Sequence, residues 1–454
     1  MHKAGITALL AVGLTAATIT GPVQAEPTVR PPQPQSREAA TPSQHDLGQQ
    51  VLSDSDGWAS AEGGTTGGAA AAPENIYRVN TWQGLRDALG GDSARGDTTD
   101  RMIYLDSTVN ANETTNGGLL TCAAYADPSY SLEAYLNQYD PATWGANNPT
   151  GPLEEARDRS NGIQDDQVRQ YIGSNVTLVG VGDTSGIVNG SLTIRGSDNV
   201  IVRNLEIADA YDCFPAWDPN DFGGNWNSEF DNISIFESTH VWIDHVSLND
   251  GENPPESLPT YFGQKYEVHD GLLDITNESD LVTVSWNTFT DHDKVMIIGS
   301  SDSRTTDRGA LRVTLHHNLF ENTGQRTPRV RFGQVHIYNN YYNETNEGGY
   351  YQYGWGAGKE SEILAENNYF ELGDGLEASA LIHNWGGTML EERGSFVNGS
   401  SKHQRVDLLA AYNTNADIPL GDSVTWDATH HERIEPTQSV PKLVLKHAGS
   451  GALE

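Results

Sequence analysis

Basic residues are scarce in this chain. It has 27 Lys and Arg against 62 Asp and Glu, a formal charge of −35. That balance argues against nonspecific binding to nucleic acid or to an anionic membrane. An anionic ligand remains open, provided that basic side chains or bound cations are gathered in one place. Cysteine is almost absent: Cys122 and Cys213 stand alone, with no zinc-ligand or thiol-nucleophile pattern around them. In an exported protein the two could pair, and a loop of that length would add roughly 4–5 kcal/mol in the chain-entropy treatment; two buried free thiols are the alternative. Lysine, a good helix former, is thin, whereas Gly numbers 47 and Asn and Thr are common, which favours turns and strands over helical bundles.

What is present divides the 454 residues into three parts. The start, "MHKAGITALLAVGLTAATITGPVQA" (1–25), has the basic n-region, apolar stretch and small-x-small cleavage pattern of a secretory signal, so a secreted, extracellular protein is expected. The apolar run is short and broken by Thr and Gly, which disfavours a membrane anchor. Residues 26–72 are rich in Pro, Gln, Ser, Gly and Ala without apolar periodicity, and read as a flexible propeptide or linker. Ordered structure is expected over 73–454, opening with a strand and then a short amphipathic helix that has Trp82, Leu85 and Leu89 on one face.

From residue 175 a pattern recurs. "NVIVRNLEI", "HVWIDHVSL", "LVTVSWNTF", "RVTLHHNLF", "QVHIYNNYY" and "EILAENNYF" alternate with a second set, "DNISIFES", "GLLDITN", "KVMIIGS", "RVRFG" and "YYQYGWG". Strict alternation of short strands, with loop-sized insertions between them, predicts a solenoid. With no helical linkers, the expected fold is all-β: a single-stranded parallel β-helix with long loops on one side. An antiparallel sandwich competes but needs no such fixed order. Asn287, Asn318, Asn340 and Asn368 recur at one place in the repeat, as a coil-to-coil hydrogen-bond ladder would require.

Coils of such a helix stack about 4.8 Å apart, so equivalent positions on the second set become neighbours. Read in order, these positions carry Asp231, then Asp270 and Asp274, then Lys294, then Arg326, Arg329 and Arg331. Carboxylates around an open groove suit a hard cation, calcium above all. Asp270 and Asp274 would lie about 13 Å apart on a straight strand, so the chain must bend at Gly271 or the two serve different ions. A guanidinium fork recognises carboxylates bidentately. Clustered arginines therefore either pair with acids in a structural ladder or await an anionic ligand.

"VWIDH" (241–245), "HDGLLDI" (269–275), "DHDKVMIIGSSDS" (291–303), "QRTPRVRFGQVHIYNNYY" (325–342) and "DAYDCFPAWDP" (209–219) together resemble the secreted bacterial pectate lyases of the Bacillus-type branch. The resemblance implies a right-handed parallel β-helix and calcium-dependent cleavage of de-esterified α-1,4-polygalacturonate by β-elimination, giving unsaturated oligogalacturonides. It carries over Asp231, Asp270 and Asp274 as calcium ligands, Arg326 as the catalytic base, and Lys294 and Arg331 as the catalytic and substrate-binding residues that hold uronate carboxylates. Arg329 is left as a structural neighbour. Glu229 stands two positions before the first Asp, as an acid does in some members, and is given no role. Asp244 and His245, on the other strand set, are taken as structural. A monomer is expected. Two rival readings are a pectin lyase acting on methylated substrate and a non-catalytic β-helix that binds polysaccharide. An intact Asp trio with Lys294 argues against the first, and the presence of both Lys294 and Arg326 against the second.

Overall fold

Alternating side chains dictate the architecture. In the computed structural model, which describes residues 45–453 except Phe222, Glu347, Ser400 and Gln404, the apolar members of the repeats line up in register from coil to coil. Ile194, Ile235, Ile275, Ile298, Val330 and Ala357 form one buried column. Val202, Ile243, Val284, Leu315, Ile337 and Ala365 form another. Burying each branched side chain is worth about 1.5–3 kcal/mol, so the columns make up one long core. Three parallel sheets enclose it. The first has eight strands, from Arg169–Ile172 to Ile382–Trp385; the second has ten, from Ile76–Val79 to Met389–Arg393; the third has nine, from Thr108–Asn110 to Phe396–Val397. The chain is a parallel β-helix, as expected.

One detail differs from the sequence reading. The longer repeats are not single strands but pairs, one in the second sheet and one in the third. "LVTVSWNTF", for example, spans Asp280–Ser285 and Thr288–Lys294. The corner between them is the asparagine ladder. Asn287, Asn318 and Asn340 each donate through Nδ2 to the Oδ1 of the next asparagine at 2.9–3.1 Å, and each is fully buried. The residue before each ladder position (Trp286, His317, Asn339, Asn367) has φ between 51° and 56°, the left-handed kink that turns the corner. Inside the corner Phe289, Phe320, Tyr342 and Phe370 stack face to face at 4.4–4.9 Å.

The expected helix is there as Trp82–Leu89, capped by Thr81, with Trp82, Leu85 and Leu89 buried. The expected flexible linker over 26–72 is corrected in its second half; the signal and the first half lie outside the described residues. From Leu47 onward the chain is a strap across the outer face of the second sheet. Gly68, Ala59 and Trp58 donate backbone N–H groups to the hydroxyls of Thr177, Thr283 and Thr314 at 2.9–3.0 Å. Gly-rich composition here serves close approach rather than freedom: a Cβ on Gly68 would lie 1.9 Å from the Arg101 carbonyl oxygen. Cys122 and Cys213 are joined in a disulfide.

Candidate active site

The outer face of the first sheet carries the chemistry. Asp231 stands two residues before the strand Ile233–Phe236, and its neighbour in the next coil is Gly271. Leu272 and Leu273 both donate to the Val295 carbonyl, at 3.0 and 3.1 Å, so the backbone bulges just before the strand Leu273–Thr276. This bulge removes the straight-strand difficulty, because Asp270 and Asp274 lie on either side of it. A Cβ on Gly271 would sit 2.7 Å from Asp274 Oδ1 and 3.0 Å from Asp231 Oδ1, which shows how closely the carboxylates crowd that glycine.

Their charge is not neutralised locally. Among the described residues none of the three makes an ion pair. Burial, and then the neighbouring Asp270, push the Asp231 carboxyl up to about 7. Burial, with Asp231 and Asp270 following, pushes Asp274 well above the carboxylate range. Asp231 accepts from Gly271 N at 2.8 Å and Ser234 Oγ at 2.5 Å, and Asp274 from Ile297 N at 2.9 Å. Among the described residues no three His, Cys, Asp or Glu side chains are arranged to hold a metal ion by themselves. The trio is a set of oxygen donors whose ionisation burial and mutual repulsion oppose. That chemistry fits a hard divalent cation whose remaining ligands come from water or substrate.

The cleft beside them carries both signs of charge, with Asp221, Glu267 and Asp293 among its lining as well as three cations. This cleft of about 450 Å³ is lined by Asp270, Lys294, Arg326 and Arg329, with Asn225, Gln352 and Trp385 among its other residues. Lys294 ends the strand Thr288–Lys294, opposite Gln325 in the next coil. Arg326 follows that Gln325 at φ 63°, and its Nε is buried without a hydrogen-bond partner. Neither Lys294, Arg326 nor Arg329 has a carboxylate within 4.0 Å among the described residues.

Arg331 is not brought into the cleft. It is 8% exposed and donates through Nε to Asp302 Oδ1 at 2.7 Å and through Nη1 to the Gly299 carbonyl at 2.9 Å. Arg329, read from the sequence as a structural neighbour, is the arginine that lines the cleft. Its guanidinium lies 4.1 Å from the centre of the Trp385 ring, and burial, with help from the adjacent Arg331, lowers it to about 10. Trp385 comes from two coils further along the first sheet.

Behind this wall Asp250 joins two histidines. It meets His292 Nδ1 at 2.7 Å and His269 Nδ1 at 3.4 Å, so one buried acid ties the segments that carry Lys294 and Asp270. Glu229 lines the adjoining stretch of groove with Arg169 and Arg195. Asp244 is buried against Arg203 at 2.8 Å, on the second sheet with His245 beside it, away from the cleft. Trp217, Trp226 and Trp355 are at most 4% exposed and belong to packing.

A family model described as pectate lyase matches residues 154–452. A pectate lyase of Bacillus subtilis is 45% identical over 412 residues, covering 90% of this chain and 94% of that protein. The structure of a thermostable pectate lyase superposes with a TM-score of 0.87 at 47% identity, over 90% of this chain and 100% of that one. A pectate lyase bound to a hexasaccharide gives a TM-score of 0.85 at 44% identity, again over 90% and 100%.

Proposed function

Since the chain belongs to the pectate lyase family and is a polysaccharide lyase, we propose that it is a secreted, monomeric, calcium-dependent enzyme that cleaves de-esterified polygalacturonate by β-elimination. The observation that carries this reading is one cleft in which Lys294, Arg326 and Arg329, none with a carboxylate within 4.0 Å among the described residues, stand with Asp270, next in sequence to the Gly271 that the Asp231 and Asp274 carboxylates crowd. Asp231, Asp270 and Asp274 would hold the metal. A calcium ion there supplies the positive charge that neutralises uronate carboxylates and acidifies the adjacent C–H.

The chain's own groups do the rest. Lys294 holds the uronate carboxylate from the facing wall and stabilises the charge that develops on it. Arg326, with an unpartnered buried Nε and no acid to neutralise it, takes the C5 proton. The C5–H electron pair becomes the C4=C5 double bond, the C4–O bond breaks, and the leaving oxygen takes a proton from water. Guanidine is a base only when neutral. Arg329, which lines the cleft where Arg331 does not, is the second cation available to a uronate carboxylate.

The test follows the ultraviolet absorbance of the unsaturated product from polygalacturonate. With calcium, product is expected; chelator abolishes it, methylated pectin supports little, and Arg326→Ala lowers kcat by about 10²–10⁴, the usual share of a general base. Absence of product with calcium present overturns the lyase reading, and undiminished activity in chelator overturns the metal assignment.

A further inference from the structure

Glu344 is an acid that the proposed chemistry does not use. It ends the strand Tyr341–Glu344 in the third sheet, is 2% exposed, and has no ion-pair partner among the described residues. Both of its oxygens are committed to one residue of the preceding coil. Thr323 N–H donates to Glu344 Oε2 at 2.7 Å, and the Thr323 hydroxyl is hydrogen-bonded to Oε1. Thr323 lies on the strand Leu319–Gln325, three residues before Arg326.

The other side of Arg326 is held from the same strand. Tyr342, two residues before Glu344, donates its hydroxyl to the Thr327 carbonyl at 3.2 Å and receives the Trp355 indole N–H at 3.0 Å. Residues i and i+2 of a strand share a face, so two inward side chains of one coil bracket the Arg326 turn of the coil before it. Between the two brackets Gly324 accepts the Gln352 N–H at 2.7 Å, leaving no slack in the segment. At φ 63° Arg326 occupies a backbone state that non-glycine residues hold only when their surroundings impose it.

We propose that Glu344 is a positioning residue: by gripping Thr323 through backbone and side chain it fixes the turn that presents Arg326 to the cleft. The inference rests on Arg326 having the role proposed above. Burial raises Glu344 to about 8, against the opposing pull of the two Thr323 bonds and with Glu321 adding to the rise, so the acid is neutral below that pH. Thr323 donates its N–H to Oε2 and its hydroxyl to Oε1, and a neutral acid can keep both contacts with the second proton shared from either side. A glutamine amide can make the same two bonds, whereas alanine makes neither.

The experiment compares wild type, Glu344→Ala, Glu344→Gln and Thr323→Val at pH 7. It measures kcat and KM on polygalacturonate with calcium and amide hydrogen exchange across residues 322–328. Glu344→Ala is expected to lose at least tenfold in kcat with KM within twofold, and to exchange faster at Thr323. Glu344→Gln keeps kcat within about threefold and retains the protection. Thr323→Val, which removes only the hydroxyl, falls between them and keeps the test open if Glu344→Ala does not fold. Wild-type kcat in Glu344→Ala or Thr323→Val overturns the proposal, as does a loss in Glu344→Gln equal to that in Glu344→Ala. If wild type makes no unsaturated product, the lyase reading fails by itself. The exchange data would still report whether the grip on Thr323 exists.

Discussion

Arg326, Arg329 and Arg331 sit within six positions of one another and have three different surroundings. Arg331 has its own acid in Asp302, Arg326 has a buried Nε without a partner, and Arg329 lies flat over Trp385 with no carboxylate in reach. The sequence reading set Arg329 aside as a structural neighbour and Arg331 as a substrate contact, whereas Arg326 and Arg329 line the cleft and Arg331 does not. Side-chain parity puts Arg329 and Arg331 on one face but says nothing of Asp302 or Trp385, which reach them from a loop and from two coils further on. Because Arg329 is a half-buried, unpaired cation in the cleft, Arg329→Ala is expected to raise KM for polygalacturonate about tenfold, the equivalent of one charge-assisted hydrogen bond of about 1.5 kcal/mol. Melting temperature should not fall. Arg329→Lys should restore little, since the indole face is matched by a planar guanidinium rather than by an ammonium. Steady-state kinetics and a thermal melt on the two variants check both statements.

At the scale of elements the asparagine ladder was readable because it is a local repeat: the same residue at the same distance from the same apolar alternation. The corner that it builds was not read, although the doublets Trp286-Asn287, His317-Asn318, Asn339-Asn340 and Asn367-Asn368 carry it. In each, the first residue takes a left-handed turn and the second enters the ladder. Asn340 is bonded both ways, accepting from Asn318 and donating to Asn368, and it also donates to the Leu315 carbonyl at 3.0 Å. Asn340→Ala strips these partners inside a dry corner and leaves the Asn318 donors unsatisfied. A loss of about 2–3 kcal/mol is expected, seen as a lower midpoint in urea with an unchanged slope. The bulge at Leu272–Leu273 belongs to the same scale. Two successive N–H groups turn to one carbonyl between Asp270 and Asp274, and no residue type in "HDGLLDI" requires that.

Over the described residues two outer faces of the solenoid are covered by segments of the same chain. The strap from Leu47 lies on the second sheet, and the helix Val440–His447 buries Val440 and Val444 against Leu319 and Tyr341 of the third. The first sheet is left for the groove. The disulfide Cys122–Cys213 bridges a separation of 91 residues and anchors the turn that leads into the hairpin Ala216–Asp218 with Asn225–Asn227, a wall of the cleft. Replacing both cysteines by serine is expected to cost about 4–5 kcal/mol in the chain-entropy treatment, measured by urea unfolding, and to raise KM as that wall loosens. By itself, the amino-acid sequence determined the β-helix, its ladder and the nearness of Asp270, Lys294 and Arg326, because a periodic fold converts spacing along the chain into adjacency between coils. Only the tertiary structure decided which arginine faces the groove, that a Gly-rich segment is a packed strap, and that Glu344 grips the Arg326 turn. Those depend on non-periodic contacts between distant segments, where side-chain shape and burial, not spacing, select the partner.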